Sequence, residues 1–263
     1  MVEVDRISNP HDLFFRVTLS NQQAVKDFFE AHLPEDVRRY IPIDSIKRAK
    51  DSHISSKLRE LRNDLIFTAQ IDGHTGFIFL EHQSSADWRM PIRFLKYNTI
   101  LIEHYLKDNG PKTPLPFILN LCLYHGKLNK PYPYPSNLYD YFPNTHVAQK
   151  LGLSAQFHLL DITTSSDSAI ETHGTVSLLE KLFKYRREKT CYEVLEKELD
   201  RCREWILGTR AMIAPLGEDY WEAIFYYASN VLDPAYVSEE KLVTLFVRHE
   251  APHQECSKRA RGA

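Results

Sequence analysis

The chain has 263 residues, enough for one large domain or two small ones with a real core. Hydrophobic residues make up 43% and charged residues 26%, an ordinary balance for a globular protein in water. A formal net charge of −2 excludes a global basic field, so nucleic-acid binding would need a local patch.

The N-terminal MVEVDRISNPHD carries no apolar signal region. Ser8 or Asn9 ahead of Pro10 reads as the start of a first helix. SNQQAVKDFFEAHLP starts a second, with Ser20 and Gln23 spaced as a capping box and Phe28, Phe29 and Leu33 on its apolar face. Pro34 and Pro42 bracket a loop. LIFTAQI and HTGFIFLEHQ then read as two strands around Asp72-Gly73. MPIRFLKYNTILIEHYLK has the apolar period of a helix of about five turns. The continuous apolar FILNLCLY fits a buried, central, parallel strand, and FHLLDIT reads as one more. From Ser177 onward the pattern is helical. The composition shift near Ser165–Ser168 divides residues 1–165, an α/β region, from a helical 166–263.

The longest apolar runs, such as LPFILNLCLY, are far shorter than a membrane span. The four cysteines show no CxxC or zinc-ligand pairing, which predicts reduced thiols and a cytoplasmic setting. The twelve histidines form no HExxH.

The hairpin carries the chemistry. Asp72-Gly73 suits a two-residue type I′ turn, because both of its central positions need positive φ. That turn pairs Ile71 with His74 and, followed down the ladder, sets Asp64 directly opposite Glu81. A wider loop would set Asp64 opposite Gln83 and diagonal to Glu81. Either register leaves Asp64, Glu81 and Gln83 on one face with Ile66, Phe77 and Phe79, whereas a one-residue slip turns Glu81 away. Leu65, Phe67, Ile78 and Leu80 fall on the other face, so both faces read as covered. Opposed side chains lie about 4.5–5.5 Å apart at Cβ, and two carboxylates there repel unless a cation lies between them. A divalent ion with oxygen ligands fits that gap. The residues alone leave a second reading open: each acid sits at a strand end, paired with Arg59, Arg62 or Arg89.

NDLIF…FLEHQ resembles the D…E-x-K signature of the PD-(D/E)XK nuclease superfamily, written here as D-(16 residues)-E-x-Q. More specifically, NPHDLFFRVTLS, LRNDLIF, IFLEHQSSADWRMPIRFLKY and PFILNLCLYHGK resemble the recombination-promoting nuclease family, also labelled transposases. The resemblance covers about the first half of the chain, and EHQSS with MPIRFLKY is its most specific part. It implies an α/β fold with a central mixed sheet flanked by helices, and a DNA endonuclease that uses Mg²⁺, or Mn²⁺ or Ca²⁺, in recombination. On that resemblance Asp64 and Glu81 are the metal ligands and Gln83 replaces the superfamily lysine. The Gln83 amide brings no positive charge, but it can orient a water or a phosphate oxygen. Asp12 belongs to the family's HD element and is a candidate further acid; in the first turn of a helix it is also simply favourable to the dipole. His11 reads as a surface or structural histidine.

Arg89, Arg93 and Lys96 fall on one helical stripe and are candidate phosphate contacts, with Lys96 a candidate for the charge that Gln83 lacks. His125, in YHG, is a candidate site-lining residue or a turn residue. KYRREK (Lys184–Lys189) and SKRARG are basic segments that either track DNA backbone or stay solvated. Duplex cleavage by a single-site nuclease predicts a homodimer. The rival functions are a catalytically inactive relative that binds DNA or protein, and an unrelated α/β protein with structural acids. No D-D-E triad supports strand transfer.

Overall fold

The computed structural model describes residues 10–49, 65–152, 156–207 and 217–260. Two compact units divide the chain: Phe29–Ser165, and Met1–Phe28 with Ser166–Ala263.

The first unit is built on a five-stranded mixed sheet in the order β1 (Lys47–Arg48), β2 (Leu65–Ile71), β3 (His74–Gln83), β4 (Phe117–Tyr124), β5 (His158–Asp161). β1, β2 and β3 run antiparallel; β3, β4 and β5 run parallel. The hairpin turn forms as its sequence predicts, with φ of 49° at Asp72 and 77° at Gly73. The ladder accordingly runs from Ile71↔His74 to Leu65↔Leu80. Gly76 is required on packing grounds, because a Cβ there would lie 2.5 Å from the Ile71 side chain and 3.1 Å from the Phe117 carbonyl.

A parallel β3–β4 pair needs a crossover. It contains α4 (Met90–Asn109), which follows the short α3 (Glu35–Arg38) and carries Pro91 in its first turn, where the missing N–H costs nothing. Strand alternation then separates two faces. Ile66, Phe77, Phe79 and Cys122 form one apolar cluster with Met90, Phe94, Tyr97 and Leu101 of α4. Leu65, Phe67, Ile78 and Leu80 fall on the opposite face and are buried as well. There Phe29 meets Phe67 edge-on, ring centroids 5.1 Å apart. FILNLCLY is the central parallel strand its unbroken apolar run implies. A proline- and tyrosine-rich loop and α5 (Thr145–Leu151) connect β4 to β5.

The second unit is helical. It holds α1 (Pro10–Thr18), α6 (Asp167–Glu171), α7 (Ser177–Tyr185), α8 (Cys191–Leu207), α9 (Gly217–Val231) and α10 (Glu239–Ala260). Phe14 of α1 stacks on Tyr220 of α9 at 5.7 Å. The chain divides between units within α2 (Gln22–His32). Its cap is Asn21 rather than Ser20: the Asn21 side-chain oxygen accepts from the N–H of Gln23 at 2.8 Å and of Ala24 at 3.2 Å. Ser20 instead donates to the Val17 carbonyl, and Gln23 reaches forward to Asp27.

KYRREK is only in part a solvated basic run, since Arg187 and Lys189 are exposed and its other two cations are not. Lys184 is buried and bonds Asp167 at 2.6 Å, and the buried Arg186 donates to the Phe183 carbonyl. The tail beyond residue 260, and Ser8 and Asn9 at the other end, lie outside the described residues.

Candidate functional site

β3 delivers Glu81 and Gln83 to the face covered by α4, at the C-terminal end of the strand. In register, Glu81 shares its position with Cys122 and Leu159, and Gln83 with Tyr124 and Asp161. Glu81 is fully buried, and its Oε1 accepts from the Gln83 amide at 2.7 Å. The same oxygen accepts from the Arg93 guanidinium of α4. Arg93 also donates to the Tyr97 hydroxyl, through Nε at 3.1 Å and Nη2 at 3.0 Å, and its Nη1 lies 3.5 Å from the Asp87 carboxylate.

Asp87 extends this network toward the surface. Burial pushes its carboxyl up, but the Arg89 N–H, the Arg89 guanidinium and the charge of Arg93 outweigh that and hold it below the ordinary carboxylate value. Tyr132 closes the far side, donating its hydroxyl to the Asp87 carbonyl at 2.5 Å. Burial raises the Tyr132 phenol well above its usual value, so it acts as a hydrogen-bond donor at neutral pH.

The other candidates separate by position. Asp64, immediately before Leu65, lies outside the described residues, as do Arg59 and Arg62. His125 is buried, and its Nε2 lies 3.2 Å from Nδ1 of His82 with the rings stacked. Alternation places His82 on the face opposite Glu81, so this contact of the His125 ring lies on that side. Lys96 is exposed on α4, and Arg89 is largely exposed while pairing with Asp87 at 3.2 Å. Asp12, in the helical unit, takes two contacts from Arg16 one turn along α1, at 2.9 and 3.0 Å. His11 sits within an aromatic group, 5.6 Å from Phe183 and 5.3 Å from Tyr227. Sequence reasoning missed Asp87, Tyr97 and Tyr132. Tyr97 was within reach, since it lies one turn after Arg93; the other two are brought in by loops.

Glu81 and Gln83 offer hard oxygen donors, the type that Mg²⁺ and its relatives prefer. In donor type these residues suit a divalent ion, but Arg93 already neutralises Glu81 in this structure, so an ion there would compete with the guanidinium.

A mixed five-stranded sheet flanked by helices, with an acid and an amide two residues apart at the end of its second hairpin strand, is an α/β arrangement consistent with a PD-(D/E)XK-like fold. The family model described as "Putative transposase, YhgA-like" matches residues 9–205, and the chain belongs to that family. Over 192 residues, 72% of this chain, it is 32% identical to recombination-promoting nuclease RpnD of Escherichia coli O157:H7, covering 73% of that protein. It is 31% identical to recombination-promoting nuclease RpnA of Escherichia coli K12 over 64% of that protein's length. A similar match, 31% over 63% of the relative, is to RpnE of the same strain, named an inactive recombination-promoting nuclease-like protein. The matches to RpnA and RpnE thus span under two thirds of those relatives. No solved structure matches. Among the described residues, no helix is long and apolar enough to cross a membrane.

Proposed function

We propose that this protein is a metal-dependent DNA endonuclease that hydrolyses phosphodiester bonds in recombination. The observation that carries the reading is the hairpin register. It ends at Leu65↔Leu80, with Glu81 next on one strand and Asp64 next in the chain before the other. Asp64 and Glu81 would hold the ion, Mg²⁺ or a cation of similar chemistry such as Mn²⁺ or Ca²⁺. When bound, the ion lowers the pKa of a coordinated water and stabilises negative charge on the phosphate.

The chain's own residues do the rest. Gln83, fixed by its bond to Glu81, presents its amide to orient the attacking water or a phosphate oxygen. Arg89 and Lys96 reach solvent on the α4 side, where they meet backbone phosphates. Asp12 and His125 are further candidates of the family's pattern. The partner is DNA, two copies act together on a duplex, and the setting is the cytoplasm. Residues 1–165 form the nuclease-like part and 166–263 a helical region.

A second reading has its own support. Arg93 already neutralises Glu81, and one relative is named inactive. This reading is a DNA- or protein-binding relative that keeps the fold without the chemistry. Nicking of supercoiled plasmid, with and without Mg²⁺, separates the two. Metal-dependent nicking by the wild type that Asp64→Ala and Glu81→Gln abolish supports the enzyme. DNA binding without nicking in any of the three proteins supports the binding module.

A further inference from the structure

The surface beside Glu81 changes character abruptly. Trp88 follows Asp87, the residue that receives Arg93, and its side chain is 50% exposed. Its ring centroid lies 6.2 Å from that of Tyr141, at an interplanar angle of 40°. Tyr134 and Phe142, from the loop between β4 and β5, are each 40% exposed. The loop is anchored to the site through Tyr132, whose N–H donates to Asp161 at 2.8 Å and whose hydroxyl donates to the Asp87 carbonyl. Tyr134 leans edge-on against Tyr132, centroids 5.9 Å apart. In the segment KPYPYP, three prolines each fix φ and bias the residue before them to extended geometry. The rings are therefore presented at little entropic cost.

Charge tells what these rings are for. Lys127 and Lys130 are exposed in the same loop, and Arg89 is exposed next to Trp88. The acids nearby are Asp140 and two already held by partners, Asp87 and Asp161. The centre of a protein–protein interface is depleted of charge. Aromatic faces interleaved with mobile cations suit a polyanion with planar groups. In a regular duplex the base faces are buried in the stack, so only unpaired bases can lie on Trp88 and Tyr141.

We propose that this aromatic rim stacks unpaired bases of a DNA strand, so that the protein engages its DNA where the duplex is locally unpaired. The proposal takes its substrate class from the nuclease reading of the Glu81 site, but its test needs no cleavage. The full-length protein, in EDTA, is titrated into three fluorescently labelled probes of about twenty nucleotides: oligothymidylate, an abasic strand of the same length, and a duplex. Oligothymidylate should bind about tenfold more tightly than the abasic strand. Trp88→Ala should remove most of that difference and leave abasic binding unchanged. Trp88→Phe should restore most of it, and Tyr141→Ala should cost less than Trp88→Ala.

Equal binding of the oligothymidylate and abasic probes, tighter binding of duplex, or a Trp88→Ala protein with unchanged oligothymidylate affinity overturns the proposal. Because Trp88 is half in water, circular dichroism should show both Trp88 variants folded. Base-dependent binding without metal-dependent nicking sinks the nuclease reading and leaves the rim. Nicking without base-dependent binding does the reverse.

Discussion

Both units of the molecule bury glutamate completely, Glu81 in the sheet unit and Glu180 and Glu198 in the helical one, and Glu81 and Glu198 are handled differently. In the helical unit, Glu198 receives the Lys181 ammonium at 2.7 Å and the Arg201 guanidinium. Lys181 is balanced in turn by Glu171 at 2.5 Å, and Glu171 also meets the exposed Lys197 at 3.6 Å, so the network closes around the buried Lys181–Glu198 pair and reaches solvent at its rim. Burial alone would lower the Lys181 ammonium, but the hydrogen bonds and charges of Glu171 and Glu198 hold it above its ordinary value. In the sheet unit, Glu81 shares Arg93 with Asp87 and Tyr97, and the network opens through Asp87 onto exposed Trp88 and Arg89. Burial of charge therefore does not by itself mark a functional site. What distinguishes Glu81 is an arginine partner that leads outward to the surface.

Breaking the closed network tests one side of that contrast and should give the largest effect. Lys181→Met leaves the fully buried Glu198 short of a cation, which costs about 3–5 kcal/mol. Urea unfolding followed by circular dichroism should show a lowered midpoint. If the network is purely structural, base-dependent binding by the folded fraction should not move. Arg93→Gln probes the open network. Arg93 is 29% exposed and its loss leaves Gln83 still donating to Glu81, so about 2 kcal/mol is expected, less than for a fully buried pair. A loss as large as that of Lys181→Met would mean that Glu81 is as rigidly tied as Glu198 and would blunt the comparison.

The sequence exposes the sheet site well because a local rule governs it. Asp72-Gly73 dictates a type I′ turn, the turn dictates the register, and alternation puts Glu81, Gln83, Phe77 and Phe79 on one face. FILNLCLY and the α4 period are legible for the same reason, as unbroken burial and a 3.6-residue stripe. The helical region resists such reading. SLLEKLFKYRREKTCYEVLEKELDRCREWI runs as one helical pattern, yet the helix stops at Tyr185 and restarts at Cys191. The buried Arg186 turns back onto the Phe183 carbonyl, a tertiary choice that periodicity does not encode. The partner of Arg93 was hidden likewise. The Arg89–Arg93–Lys96 stripe points to phosphates in sequence, whereas the helix–sheet packing brings Arg93 to Glu81. Asn21 outcompetes Ser20 as a cap because it sits immediately before the first helical residue.

The smallest effect concerns how open the Asp87 end of the sheet network is. The Asp87 carboxyl titrates below its unfolded value, so its ionised form is the one the fold stabilises. That contribution is fully present above the unfolded value of 3.8 and is lost as pH falls through the still lower folded value. Asp167, held by Lys184 and Tyr185 in the helical unit, contributes with the same sign. Wild-type stability should thus decline as pH falls below about 4, and Asp87→Asn should remove only the sheet unit's share, under about 1 kcal/mol for a pair so near the surface. Urea midpoints across that range, compared between Asp87→Asn and Asp167→Asn, separate the two shares. If Asp87→Asn flattened the pH dependence more than Asp167→Asn, the sheet network would be held as firmly as the helical one, and the contrast between Glu81 and Glu198 would lose its physical basis.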